Sequence, residues 1–332
     1  MTRVVCYGEM LMRLSPPGDE RLLQSAALVS SFGGSEVNTA IGLAQLGVSV
    51  EMVTRLPDNA IGEAALRALR GEGVGVREVR RGGARMGLYF VERGADLRPL
   101  QTVYDRAGSS FADLDPGEMD WDEMLKGADW LHVSGITPAL GAGPWCGAQN
   151  AYAAARRLGV RTSLDLNWRP ALWGKLDPLH AIPQIAAQSD VIIGNPGAIE
   201  VMLGVKTEGT MPEPPEALKA TAQRLASEFG CAHVALTQRE VISASEHGWR
   251  AFLYEKDGDV LHASRRHQVR VVDRVGGGDA FAAGLLYGLA GGDAPKAALE
   301  FATAASALKL TIPGDFNRVT AAEVQRLLAS AE

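Results

Sequence analysis

The chain has 332 residues, 46% of them hydrophobic and 22% charged, which is enough apolar material for a substantial core and too much for a disordered chain. Its 33 Lys and Arg against 39 Asp and Glu leave a net charge of -6, which argues against general binding to nucleic acid or anionic membrane; an anionic ligand would need a local basic pocket. Cys6, Cys146 and Cys231 are scattered, with no Cys-x-x-Cys and no neighbouring His, so neither a disulfide framework nor a zinc site is expected and the thiols read as reduced, cytoplasmic packing residues.

The opening apolar run meets Gly8 too soon to be a signal sequence or a membrane span. Short β-branched runs then recur at 4–7, 48–54, 130–134, 161–166, 191–194 and 233–237, each predicting a strand. Between them, 36–46, 61–71, 148–158 and 216–229 carry apolar residues at helical spacing, one buried stripe each. Strand and helix in alternation imply an α/β fold, a mostly parallel sheet covered on both faces. Two regions interrupt the pattern. Residues 9–32 and 82–107 lack helical periodicity and contain alternating stretches such as 87–91 and 100–104, which could form two surface hairpins or pair into a small separate sheet.

The densest chemical signal lies at 271–281, where an apolar stretch leads through Asp273, Arg274 and Val275 into Gly276-Gly277-Gly278-Asp279 and a small-residue helix over 280–290. Consecutive glycines let backbone N–H groups converge, and the helix adds its unpaired first-turn N–H groups and partial positive charge, a combination suited to a phosphate. Asp279 could instead be a plain helix cap. The P-loop lysine and hydroxyl are missing, as is an early G-x-G-x-x-G.

These residues resemble the second signature of the ribokinase-like (PfkB) carbohydrate kinases, D-x-x-G-x-G-D-x-F, with Asp273, Gly276, Gly278, Asp279 and Phe281 in place; Gly33-Gly34-Ser35-Glu36-Val37-Asn38 is similar to the first. The resemblance implies a ribokinase-like three-layer sandwich formed by 1–332 as one kinase domain, with a small β-sheet lid built from about 9–32 and 82–107. It also implies ATP-dependent phosphorylation of a sugar hydroxyl, with Gly276, Gly277 and Gly278 as the oxyanion hole and Asp279 as the base. The helix terminus is expected to favour the Asp279 carboxylate and so weaken it as a base. A side chain at Gly278 is expected to clash with the phosphoryl group or force the turn out of its dihedrals.

On the nucleotide side the resemblance assigns Asn195, Thr237, Arg239 and Gly248 along with Gly276 and Gly278, and a thin helix over 302–308 against adenine. Family members show N-x-x-E near Asn195, a pair that organises Mg²⁺ through water. Here Glu200 comes two positions late and is the candidate for that role, with Mg²⁺ otherwise riding on ATP and a monovalent cation allowed.

Three stretches, 9–16, 104–109 and 165–170, look more like the 2-keto-3-deoxygluconate kinases than other family members. A keto acid carries a carboxylate, which a planar guanidinium can grip with two parallel hydrogen bonds. Arg106 and Arg169 are the expected grips, Tyr89 and Tyr104 are expected to present ring faces and hydroxyls from the lid, and Gly34 and Asn38 are expected to touch the sugar. A kinase of a neutral sugar, fructokinase- or ribokinase-like, is the alternative within the family, and a sugar sensor of the same fold the alternative outside catalysis. An open lid edge suggests a homo-oligomer.

Overall fold

The computed structural model describes residues 2–174, 176–209 and 212–330. Its main feature is a ten-stranded sheet in which seven neighbouring strands run parallel, in the order His233–Ser243, Val191–Gly194, Arg161–Asp165, Trp130–Ser134, Arg3–Tyr7, Ser49–Leu56 and Val79–Arg81. Side chains alternate across a strand, so the apolar N-terminal run is divided between two cores. Val5 and Tyr7 join the helices Ala142–Leu158, Pro178–Ala186 and Pro215–Phe229 on one face. Val4 and Cys6 join Ser35–Gln45, Gly277–Gly291 and Pro295–Lys309 on the other. This is the expected three-layer architecture.

At the far edge the structure departs from the sequence reading. The strand expected at 233–237 continues to Ser243 and turns back as Glu246–Glu255, whose pairing with Val260–Ala263 and His267–Arg270 adds an antiparallel flank. Arg239 and Gly248 therefore lie on a hairpin, paired with Trp249 and Glu240 respectively, and not on a loop. The helix expected to begin at 148 starts earlier, at Ala142.

The two irregular regions do pair with each other. Val29–Gly33, Leu11–Ser15, Gly87–Glu92 and Gln101–Asp105 form a separate four-stranded sheet in that order. Its register puts Arg13 opposite Tyr89 and Tyr89 opposite Tyr104, so all three belong to one face. Arg13 ties that face to the large sheet's loops through buried ion pairs, 2.8 Å to Asp273 and 2.9 Å to Asp315. Asp273 also accepts the Val275 and Gly314 N–H groups, both at 3.1 Å, and thereby shapes the turn leading to the glycines.

Candidate active site

A cleft of about 700 Å³ opens between the small sheet and the carboxyl ends of the parallel strands, where open α/β sheets place their ligands. Asp279, third residue of the helix Gly277–Gly291, stands in its floor, 6% exposed. Three side chains donate to its carboxylate: Asn38 Nδ2 at 2.7 Å, Ser35 Oγ at 3.0 Å and Asn167 Nδ2 at 3.2 Å. Burial nevertheless outweighs these donors and nearby Arg169, and pushes the Asp279 carboxyl up to about 6. The helix terminus was expected to hold it low. Desolvation wins instead, which makes it a better proton acceptor near neutral pH.

Gly276 caps the helix at φ 84°, a left-handed conformation, and a Cβ there would lie 2.2 Å from the backbone oxygen of Asp315. Gly277 is pressed against Leu310, where a Cβ would meet its side chain at 2.9 Å. Gly278 is different. It has no positive φ and a Cβ would meet nothing within 4 Å, so the backbone strain expected at Gly278 belongs to Gly276. Among the described residues, the N–H groups of Gly278 and Asp279 have no acceptor and remain available to an anion in the cleft. Gly276→Ala should lose stability, at least about 1 to 2 kcal/mol from the left-handed backbone alone. Gly278→Val should fold normally and place its side chain where the anion would sit. Thermal unfolding beside turnover checks both, and a Gly278→Val variant with full turnover would deny the turn any role in anion binding.

Arg169, Arg239 and Arg274 all line the cleft, and none has a carboxylate ion-pair partner among the described residues. Arg169 spends one Nη on the Trp168 carbonyl at 2.9 Å. Burial and then the positive neighbours Arg239 and Arg169 hold Arg274 below its ordinary value. Like charges gathered in a cleft favour an anion that joins them. His247 adds no positive charge: burial, then Arg239 and Arg274, lower it to about 4, and both its ring nitrogens are buried without partners among the described residues.

The lid side meets the expectations unevenly. Arg106 lines the cleft but donates Nε to Glu9 at 2.7 Å in a buried ion pair, which leaves its Nη groups for a ligand. Tyr89 and Tyr104 stack at 6.3 Å between ring centroids. The Tyr89 hydroxyl, however, donates to Asp315, which lines the same cleft. Gly34 lines the cleft at φ 142°, where a Cβ would sit 2.2 Å from the Glu9 carbonyl oxygen.

Three expected positions fall outside this arrangement. Glu200 is exposed on the helix Pro196–Leu203, which begins immediately after Asn195, so no delayed start carries it to the cleft, and Ala198 stands three residues after Asn195. Asn195 does line the cleft, with Oδ1 capping that helix at the Ala198 N–H, 3.0 Å away. Gly248 lies in a neighbouring depression beside Glu240 and Arg266. The small residues at 302–308 are spent on packing against Gly277–Gly291: a Cβ on Gly284 would lie 2.8 Å from Ala302 Cα. Thr237 and Arg239 line the cleft.

Ser35, Asp165, Asn167, Arg274 and Asp315 are cleft residues that the sequence reading did not select. Asn167 shows a local clue only in three dimensions, a left-handed φ of 40° that turns its amide back toward Asp279. Two buried carbonyl oxygens beside Asp279, Asn38 Oδ1 and Asn167 Oδ1, have no partner among the described residues. Their amide nitrogens point at carboxylates, which settles the orientation of both amides and leaves two acceptors waiting for hydroxyl donors.

The family model of the pfkB family carbohydrate kinases matches residues 1–320. A 2-dehydro-3-deoxygalactonokinase of Haloferax volcanii is 31% identical over 99% of this chain and 97% of its own length. A 2-dehydro-3-deoxygluconokinase of Thermoproteus tenax is 30% identical over 95% of this chain and 90% of its own. The crystal structure of a 2-dehydro-3-deoxygluconokinase from Thermotoga maritima superposes with a TM-score of 0.96 at 40% identity, covering 99% of this chain and all of that one.

Proposed function

The chain belongs to the pfkB family of carbohydrate kinases, and from that premise we propose that it transfers the γ-phosphoryl group of ATP to the 6-hydroxyl of 2-keto-3-deoxygluconate. The observation that carries the choice of a sugar acid is Arg169, a cleft arginine with no acidic partner among the described residues, within electrostatic reach of Asp279. An acceptor carboxylate supplies the missing ion-pair partner, with the Nη groups of Arg106 as a second grip. The orphaned oxygens Asn38 Oδ1 and Asn167 Oδ1 suit the hydroxyls of a polyol chain, and Gly34 lets that chain approach the backbone.

In this reading Asp279 accepts the proton of the acceptor hydroxyl as its oxygen bonds to phosphorus and the bond from phosphorus to the ADP oxygen breaks. Transfer is largely dissociative, so the carboxylate chiefly orients the hydroxyl and takes the proton late. The N–H groups of Gly278 and Asp279 receive the phosphoryl oxygens, while Arg239 and Arg274 face the polyphosphate. Thr237 and Asn195 line its approach. No group of three His, Cys, Asp or Glu among the described residues is arranged to hold a metal, and Glu200 is turned away; the divalent ion that accompanies ATP in this family is therefore assigned to the nucleotide's phosphates.

The chain is read as one kinase unit of the cytoplasm, since its three cysteines are free and two are buried. No described helix is long and apolar enough to cross a membrane. The open edges of the small sheet, with Val29 57% and Val103 54% exposed, support assembly into a homo-oligomer, which light scattering reporting only monomer would refute. A coupled ATPase assay on 2-keto-3-deoxygluconate, its galactonate epimer and fructose tests the substrate. Preference for fructose would return the neutral-sugar reading, and no turnover of any sugar the sensor.

A further inference from the structure

A second carboxylate lies beside the one assigned as base, and nothing in the proposed reaction uses it. Asp165 ends the strand Arg161–Asp165, lines the cleft and is 6% exposed. No cation is bonded to it among the described residues. Its Oδ1 accepts the backbone N–H of Asn167 at 3.1 Å, and its Oδ2 lies 3.4 Å from Asn167 Nδ2. The same Nδ2 reaches Asp279 Oδ1 at 3.2 Å and Ser35 Oγ at 2.7 Å. One amide thus spans two buried carboxylates, held by the first in the left-handed backbone conformation that aims it at the second. A main-chain bond to Asp165 alone could be purely structural. Placing an unpaired carboxylate in a cleft, one amide away from another, is costly for structure alone, since burial and like charge both oppose ionisation.

We propose that Asp165 is a positioning residue for phosphoryl transfer, holding Asn167 so that one oxygen of Asp279 is fixed and the other is turned to the acceptor hydroxyl, while its own charge strengthens Asp279 as a proton acceptor. This rests on Asp279 being the base. Burial, then the charge of Asp279, raises the Asp165 carboxyl to about 7, above about 6 for Asp279, so Asp279 gives up its proton first and Asp165 second. The other charges facing the pair are Arg169, which favours ionisation of both, Asp315 and Glu36, which oppose it, and Lys309 beyond Asp279. None of these carboxylates reaches Asn167. At low pH both members are protonated and the base is silent; as pH rises the first proton leaves, and loss of the second makes the base stronger.

The test combines kcat against pH with a carboxyl-carbon NMR titration of the whole protein, for wild type, Asp165→Asn and Asp279→Asn. In wild type both carboxyl signals should show two steps, each sensing its neighbour. Asp165→Asn keeps the shape and removes the charge; the remaining Asp279 signal should titrate in one step, without the upper step that reports Asp165, and the rise of kcat across that upper step should vanish with it. Turnover on the plateau should fall severalfold, because a weaker base remains. An Asp279 titration and a kcat profile whose shapes Asp165→Asn leaves unchanged, or one-step titration of both groups in wild type, would overturn the proposal. Failure of the base assignment reads differently: Asp279→Asn would then keep near-native kcat, whatever the NMR coupling. Should Asp165→Asn not fold, the wild-type titration decides alone.

Discussion

Asp279→Asn should lower kcat by roughly 10²- to 10⁴-fold, the range for loss of a positioned acid or base, with little change in KM. The shape is kept, the helix turn is untouched, and Asn38 and Ser35 can still bond the new amide. Stability should move the other way or not at all. The folded carboxyl sits near 6, above its ordinary 3.8, so its contribution to stability is complete below about pH 4 and is lost as pH rises through 6. An asparagine has no charge to bury, so at pH 8 the variant should unfold at a temperature no lower than wild type by calorimetry. Loss of turnover together with a clearly lowered unfolding temperature would point to a damaged site and not to a missing proton acceptor. Near-native kcat would remove Asp279 from the chemistry altogether.

The second large effect concerns the acceptor's carboxylate. Arg169→Ala should lower kcat/KM for the sugar acid by roughly 30- to 1000-fold, corresponding to about 2 to 4 kcal/mol for a sheltered charge-assisted contact, and mainly through KM because the grip exists before and during transfer. Turnover of a neutral sugar, which lacks the gripped group, should barely change. Arg169 is the clean test, since its side chain's one hydrogen bond among the described residues goes to the adjacent Trp168 carbonyl. Arg106→Ala should show the same substrate pattern but also destabilise the fold, because Glu9, 2% exposed, would lose its cation. Arg169→Lys should recover only part of the affinity, the ammonium lacking the planar fork. Equal losses on acid and neutral sugars would sink the sugar-acid reading.

What could be read from the sequence was local. Alternation of strand and helix, the glycine turn and its aspartate all depend on neighbours within a few residues, and each is found where expected. The antiparallel flank was missed because 246–255 has no helix to frame it and ends in a hairpin beside polar residues. The partner of the Tyr89 hydroxyl is not legible locally, because nothing near Tyr89 in the chain reveals Asp315. The small residues at 302–308 suit a ligand and a close helix contact equally well, and only the approach of Gly284 to Ala302 decides between them. Glu200 failed on a single turn of geometry, the helix starting at Pro196. Asp165 and Asn167 fall in the stretch 165–170 beside Arg169, but their link to Asp279 crosses more than a hundred positions of chain.

That separation bears on how the protein comes to be active after synthesis or refolding. Asp279 takes its hydrogen bonds from Ser35, Asn38 and Asn167, and the first strand, Arg3–Tyr7, lies mid-sheet between Trp130–Ser134 and Ser49–Leu56. Contacts so distant along the chain form late, since loop closure must be met before they contribute. A nascent chain lacking its last quarter can assemble parallel strands but has neither the base nor the glycine turn. Recovery of phosphorylating activity should therefore track the slowest refolding phase, after most helical signal has returned, and proteolytic fragments ending before 273 should be silent even where they stay compact.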